Sequence, residues 1–444
     1  MACMILEVMQ LKRIGSQLPN DRKCDLPEVT KWRHLDESSL AKDETIVAIP
    51  EAEETASEFF DELKAVIYTM KIFGLFPLQK RNPGESTFQR CKLSLVYSAV
   101  FYVAVSVYAY HVSRERIEFI RYSEASFDDL IYSVIHFLYV IPHFYLIPCH
   151  WKEVTKVGGY FARWSQFQKQ FLCATEKQLY LGQNRRAKWS VVLIPVLALL
   201  FAVSEYLLSS AEEKYWELGF YWYIFTVILL HVVWWWFVCS SLRGAIYNIS
   251  ENFFNCHVFQ KGTFSFAQER SAKLVRQYRD LWVSLNRLSR ETGLFMCYTY
   301  GHMCVLSFSV VTFSLYGTLS NVHDGLYMRH MGLAMAVCVI GGITYVICNV
   351  AHHAASEVGP EFRERLLHLT SADKQVRREL KIFIRATTIS SSEINLGGYV
   401  RIDRSFLLRF TCTMVTYLIV LLQFRLGLLS ISASNITMVT TSVL

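Results

Sequence analysis

A run of 25 residues near the middle of the chain decides the fold: 218–242, LGFYWYIFTVILLHVVWWWFVCSSL. It contains no Asp, Glu, Lys or Arg, and it exceeds the roughly 20 apolar residues that a helix needs to cross a hydrocarbon core about 30 Å thick. Inside a bilayer, backbone polar groups must bond within their own segment, which an α-helix achieves. The stretch therefore predicts a transmembrane helix.

Six further stretches share this character in a chain of 444 residues that is 52% hydrophobic and only 19% charged. The seven predicted spans are 93–112, 130–149, 189–210, 218–242, 294–320, 331–351 and 410–430. Glu205 and Arg425 are the only Asp, Glu, Lys or Arg residues within these seven spans. The chain is thus predicted to be an all-α membrane protein with seven transmembrane helices. No enzyme domain of ordinary size remains outside the spans, so we expect no enzyme.

The Lys and Arg residues alternate between loops, and cytoplasmic loops retain such residues. The segments after spans two and four hold eight each, and the segment after span six holds nine from Arg363 to Arg404. The segments after spans one, three and five hold three, one and one. This pattern places the N-terminus in the cytoplasm and the C-terminus outside the cell.

The first 62 residues are polar and include eight acidic residues between Asp43 and Glu62 without an intervening Lys or Arg. Such a segment buries too little apolar surface to offset its ordering entropy, so 1–62 is predicted to be a disordered cytoplasmic segment. No cleaved signal is expected, because no small-residue cleavage site follows the first residues. The twelve cysteines lack metal-ligand spacing, so we interpret them as free thiols and expect no metal or cofactor.

Several stretches resemble the insect gustatory receptor family, and within it the carbon dioxide receptor subfamily. The broad motif is Thr-Tyr, five apolar residues and Gln-Phe, here Thr416, Tyr417, LIVLL, Gln423 and Phe424. The subfamily resemblance runs through 278–300 (YRDLWVSLNRLSRETGLFMCYTY), 314–326 (SLYGTLSNVHDGL), 351–356 (AHHAAS) and 384–406 (IRATTISSSEINLGGYVRIDRSF), and more loosely through 73–79 (FGLFPLQ).

The resemblance implies a ligand-gated, non-selective cation channel in the plasma membrane of chemosensory neurons. It implies a tetramer with paralogous gustatory receptor subunits, a central pore lined by the last helix, and a small-molecule ligand, carbon dioxide or an odorant. Membrane lipids are the other expected partner, and no nucleic acid is expected. The implied parts are a six-helix ligand-sensing bundle (63–356), a cytoplasmic anchor segment (357–404), a pore helix (405–430) and a short extracellular tail (431–444).

The last span carries a polar stripe. Thr416 and Gln423 are seven residues apart and lie within about 20° of each other on a helix. Thr413 and Val420 share this face, which predicts a pore and gate of Thr413, Thr416, Val420 and Gln423. The alternative interpretation is that the polar side chains of this face form hydrogen bonds across a pair of helices. Tyr417 and Phe424 lie beside the stripe and are predicted to pack the helix against its neighbours, while Arg425 is expected to snorkel outward or to meet a carboxylate.

Ligand contacts are expected in the outer halves of spans one to six, by analogy with the family. The candidates are polar or aromatic residues: Tyr108, Tyr132, His136, Glu205, Tyr221, Tyr223 and Tyr316. For each one, an ordinary structural role, such as an interfacial aromatic anchor or a histidine bonded to a neighbouring helix, is the competing interpretation. Carbon dioxide is a neutral linear molecule, so it has no charge that a sequence motif could match. The sequence therefore does not identify a carbon dioxide site.

Coupling to the pore is expected through cytoplasmic helices. The stretch 375–387 (QVRRELKIFIRAT) predicts an amphipathic helix that acts as an inter-subunit anchor or, alternatively, lies on anionic lipid. Gly397 and Gly398 lower the cost of a sharp bend before the last span.

Two other classes compete with the channel. A seven-helix receptor signalling through a G protein or another second messenger matches the span count, but the inside N-terminus disfavours it. A transporter would show internal repeats and interrupted helices, and the sequence has no such repeat.

Overall fold

The computed structural model describes residues 59–80, 88–90, 92–122, 127–208, 215–255, 268–321, 327–369, 371 and 373–442. The helices are α1 (Phe59–Glu62), α2 (Lys64–Ile72), α3 (Lys92–Tyr122), α4 (Phe127–Thr175), α5 (Asn184–Leu208), α6 (Tyr215–Phe254), α7 (Gln268–Phe295), α8 (Cys297–Asn321), α9 (Tyr327–Ser356), α10 (Phe362–Leu367), α11 (Lys374–Ile389) and α12 (Arg404–Ser442). A π-helical turn, Glu357–Glu361, joins α9 to α10. Two antiparallel pairs complete the elements: β1 (Leu78–Lys80) with β2 (Phe88–Arg90), and β3 (Asn395–Leu396) with β4 (Val400–Arg401).

Six of the described helices are long and apolar enough to cross a membrane, namely α3, α5, α6, α8, α9 and α12. The predicted second span lies within α4, which is helical but is not among the six. Its 20 residues, 130–149, contain no Asp, Glu, Lys or Arg. The all-α membrane fold predicted from the sequence is confirmed.

Two helices extend far beyond the bilayer thickness. At 1.5 Å per residue, the 49 residues of α4 span about 74 Å and the 40 residues of α6 span about 60 Å. The basic segments that follow spans two and four therefore include helical extensions. Helix α7 packs against both extensions and buries Trp282, while α4 buries Trp164. An aromatic core thus forms at the end of the bundle where the basic residues lie.

The predicted disordered segment 1–62 ends sooner than expected. Residues 59–62 form α1, with Phe59 stacked on Trp164 at a centroid distance of 4.6 Å. The buried carboxylate of Glu62 accepts a hydrogen bond of 2.8 Å from the backbone N–H of Gln183, just before α5. Apolar burial and this bond offset the ordering entropy of the four residues. Residues 1–58 lie outside the described part of the chain.

The predicted fifth span, 294–320, is not one continuous helix. Helix α7 ends at Phe295 and α8 begins at Cys297, with Met296 fully buried between them. At this point the carboxylate of Glu153 on α4 accepts the backbone N–H groups of Tyr298 and Thr299.

The anchor segment folds into α10, α11 and the β3–β4 hairpin. Helix α11 is capped by Asp373, whose side chain accepts the N–H of Gln375 at 2.8 Å. Its apolar residues Val376, Leu380 and Phe383 are buried, and α11 packs against α7 of the same chain. The apolar face of α11 is thus covered within one subunit. Its exposed residues, which include the basic ones, remain for the predicted contact with another subunit or with lipid.

The hairpin turns at the glycine pair that the sequence singled out. Gly397 and Gly398 have φ of 59° and 79°, a region that glycine enters at little cost. Two residues after the hairpin, Asp403 accepts the N–H of Phe406 at 2.7 Å and caps α12. Helix α12 runs from Arg404 to Ser442, so the predicted tail, 431–444, continues the helix through residue 442.

Candidate functional site

In the described part of the structure, the last helix packs against its own chain through one face. Helix α12 packs against α8 and α9, with Phe410 and Met414 buried. The ring of Phe308 on α8 meets the rings of Phe410 and Tyr417 edge-on, at centroid distances of 5.5 and 5.7 Å. Tyr417 remains 43% exposed and Phe424 63% exposed, so both leave area for contacts outside the chain.

The predicted pore stripe lies away from the rest of the subunit. Thr416 and Gln423 are exposed, Val420 is 40% exposed, and Thr413 is half-buried. Thr416 and Gln423, which are seven residues apart, thus lie on one face of α12, and α8 and α9 leave this face open. A polar face at this place needs either water or the matching helix of another subunit.

The threonine hydroxyls are satisfied within α12. Thr413 donates to the carbonyl of Arg409 at 2.9 Å, and Thr416 donates to the carbonyl of Cys412 at 3.1 Å. These i to i−4 bonds occupy each hydroxyl hydrogen but leave an oxygen lone pair on the open face. Among the described residues, these two threonines donate within their own helix rather than across a helix pair, which was the alternative interpretation.

Arg425 has a partner that the sequence prediction missed. Its Nη1 donates to the backbone carbonyl of Ser320 at 2.7 Å, next to the C-terminal end of α8. A cation is favoured there because the last carbonyls of a helix lack intrahelical partners and carry partial negative charge. In this contact the acceptor is a helix end rather than the carboxylate that was one of the two predicted alternatives.

Four of the ligand candidates lie in one cluster between α3, α4 and α6. His136 Nδ1 lies 3.0 Å from the hydroxyl of Tyr221, and the hydroxyl of Tyr223 lies 3.4 Å from His143 Nδ1. The ring of Tyr108 packs edge-on against Phe220 at 5.8 Å. The cluster combines hydroxyl and imidazole groups with aromatic faces, which suits a small molecule that has both polar and apolar parts.

Sequence reasoning missed two members of this cluster. Tyr102 stacks on His143 with the centroids 4.9 Å apart, and the hydroxyl of Ser106 lies 2.8 Å from His143 Nε2. Tyr102 and Ser106 are four residues apart, so they share a face of α3. That spacing was visible in the sequence, but one serine and one tyrosine in an apolar span give little signal.

The other candidates lie elsewhere. Glu205 is half-buried one turn before the end of α5, and Tyr316 is fully buried on α8. The side chain of Tyr132 lies outside the described part of the structure.

The sequence matches the family model described as "7tm Chemosensory receptor" over residues 63–427. It is similar to "Gustatory and odorant receptor 22" of Anopheles gambiae, at 29% identity over 85% of this chain and 80% of that protein. It is also similar to "Gustatory and odorant receptor 24" of the same mosquito, at 28% identity over 87% of this chain and 82% of that protein. "Gustatory and odorant receptor 21a" of Drosophila melanogaster is 26% identical over 88% of this chain and 86% of that protein.

The fold is similar to that of the insect olfactory receptor OR5 from Machilis hrabei. The structure in complex with eugenol aligns with a TM-score of 0.55 at 14% identity, covering 81% of this chain and 97% of that one. A second structure of the same receptor aligns with a TM-score of 0.53 at 13% identity, with the same coverage. At this identity the likeness shows the fold alone.

Proposed function

Because the chain belongs to the 7tm chemosensory receptor family, we propose that it is a subunit of a ligand-gated, non-selective cation channel. The proposed stimulus is carbon dioxide, and the proposed assembly is a tetramer with paralogous gustatory receptor subunits. The observation that carries the proposal is the open polar face of α12, because a face of Thr416 and Gln423 is costly against lipid and suits a water-filled axis.

The proposed gate consists of two rings of side chains around the pore axis. Each ring contains one residue from each of the four subunits. Val420 and the side chains at the matching position of the other subunits would form an apolar ring, which closes a narrow pore by dewetting. The Gln423 amide, one turn further along, would help to solvate a cation once the ring widens. Arg425 supports this arrangement, because its bond to Ser320 draws the guanidinium back into its own chain and away from the axis.

The proposed orientation places Gln423 near the external mouth. The alternation of Lys and Arg supports a cytoplasmic N-terminus, and the long basic extensions of α4 and α6 suit the cytoplasm. In a sensory neuron the channel would lie in the plasma membrane, with the His136–Tyr221 cluster on the side where a ligand enters. We propose that this cluster contributes to ligand binding, through its hydroxyl and imidazole groups.

Current recording from cells that express the full set of paralogous subunits tests the proposed function. A step of carbon dioxide at constant external pH is expected to open a cation current promptly, with GDPβS in the pipette to block G proteins. A channel needs no diffusible messenger, so the block should leave the current unchanged. An external acid step without carbon dioxide is the control for proton-activated currents of the host cell.

Two outcomes would count against the channel. If the subunits reach the cell surface and the gas evokes no current, the proposal fails. A delayed current that GDPβS abolishes would support the alternative, a receptor that signals through a G protein.

A further inference from the structure

The break between α7 and α8 is held open by a carboxylate from α4. Glu153 lies one turn beyond the predicted span 130–149, and its side chain is fully buried. It accepts the backbone N–H of Tyr298 at 2.7 Å, the N–H of Thr299 at 3.2 Å and the hydroxyl of Thr299 at 2.7 Å. These are the first-turn N–H groups of α8, which have no intrahelical partner, so Glu153 caps this helix from outside.

The β3–β4 hairpin, which leads into α12, packs on the two sides of the same break. Before it, Gly293 approaches the hairpin so closely that a Cβ there would lie 2.6 Å from the carbonyl carbon of Asn395. The N–H of Gly397 donates to the carbonyl of Gly293 at 3.3 Å. After the break, the Sγ of Cys297 would lie 2.6 Å from a Cβ on Gly397.

Helix α4, the break between α7 and α8, and the β3–β4 hairpin therefore meet at Met296. Helix α4 carries His136 and His143 of the ligand cluster and, further along the same helix, Glu153. Glu153 fixes the start of α8, and the ends of α7 and α8 support the hairpin, which continues through the Asp403 cap into the stripe of α12.

We propose that Glu153 is the positioning residue that couples the ligand-sensing bundle to the pore helix. A shift of α4 along its axis moves the carboxylate and with it the first turn of α8. The hairpin follows because its backbone has almost no clearance from Gly293 and Cys297. The inference rests on the proposed channel function, but the link itself is a property of the fold.

The charge environment of Glu153 makes the coupling testable by pH. Burial raises the pKa of Glu153 more than its three hydrogen bonds and Lys156 lower it. The other titratable groups that interact with the carboxylate are Cys149 on α4, and Cys297 and Tyr300 on α8. A raised pKa means that acid protonates this carboxyl at a higher pH than an exposed glutamate. Glu153→Gln has nearly the same shape as the protonated form.

Hydrogen exchange on the purified complex tests the link without any current. In Glu153→Gln, amide exchange at Tyr298 and Thr299 should rise at least about fivefold, and exchange at Gly397 should rise with it. The matched control is Glu379→Gln, which removes a carboxylate paired with Arg276 and Arg279 at the α7–α11 contact. If exchange rises at 298–299 while the hairpin stays protected, the coupling role is overturned.

Ligand-evoked current gives the second readout, with cytosolic pH set by a strong pipette buffer. Glu153→Gln should raise the half-maximal ligand concentration at least about fivefold, the lower end of usual coupling strengths. Cytosolic acidification should shift the wild-type curve in the same direction and leave the variant unchanged. A variant curve equal to wild type, or equal pH shifts in both proteins, would refute the proposal. If the wild-type set of subunits gives no current, the proposed channel function is refuted. Hydrogen exchange alone would then test whether Glu153 couples the start of α8 to the hairpin.

Discussion

Replacing Gly293 with alanine is expected to prevent the receptor from reaching the cell surface. The added methyl would lie 2.6 Å from the carbonyl carbon and 2.9 Å from the nitrogen of Asn395, and neither backbone atom can rotate away as a side chain does. Overpacking in a core costs about 1–3 kcal/mol even where side chains can move, so a backbone clash should exceed that range. Surface labelling and fluorescence-detected size exclusion measure the loss.

The matched control is Gly301→Ala, eight residues along the chain in α8. No atom of the described structure lies within 4 Å of a Cβ at that position, leaving aside the glycine's chain neighbours and its own helix backbone. Alanine should there stabilise the helix by about 1 kcal/mol, because it lowers the backbone entropy lost on folding. Equal surface levels for the two variants would show that the hairpin does not press on Gly293.

Truncating Trp282 to alanine is expected to destabilise the end of the bundle that carries the basic extensions by about 3–5 kcal/mol. This side chain is fully buried, its ring lies edge-on to Phe383 of α11, and its indole N–H donates to the carbonyl of Val358 at 2.8 Å. Val358 belongs to the π-helical turn, where the bonding pattern departs from that of an α-helix. The loss should appear as a lower thermal midpoint of the purified protein.

The conservative variant Trp282→Phe separates packing from hydrogen bonding. It keeps an aromatic ring but leaves the Val358 carbonyl without this donor, which should cost about 1–3 kcal/mol. Arg290→Ala, at an exposed position of α7, should change stability by no more than about 0.5 kcal/mol. If Trp282→Ala were as mild as Arg290→Ala, α7 would not be the support of the π-helical turn and α11.

The common face of Thr416 and Gln423 was predictable because it depends on one helix alone. The spacing of Thr416 and Gln423 sets their common face, and the structure leaves that face open. The glycine pair at 397–398 was predictable for the same reason, since a bend is a local property and only glycine adopts positive φ cheaply.

The break between α7 and α8 at Met296 could not be predicted, because the carboxylate that caps α8 there comes from a residue remote in the sequence. Glu153 lies 145 residues before Tyr298 and is surrounded in the sequence by Lys152 and Lys156, so it looked like part of a solvated loop. Gly293 gave no signal either, because its importance depends on the backbone of Asn395 rather than on its own conformation. The acceptor for Arg425 was missed in the same way, since a helix end has no side chain to recognise.

The proposed pore lining by Thr416, Val420 and Gln423 of α12 can be probed with an impermeant cationic methanethiosulfonate. The reagent is applied from outside to complexes that carry Gln423→Cys, during ligand-evoked current. Thr411→Cys is the matched control, because Thr411 is also exposed but lies about 140° around the helix from Thr416. The reagent is expected to block most of the current of Gln423→Cys and to spare that of Thr411→Cys. Full current through Gln423→Cys, after labelling of that cysteine has been verified, would contradict it.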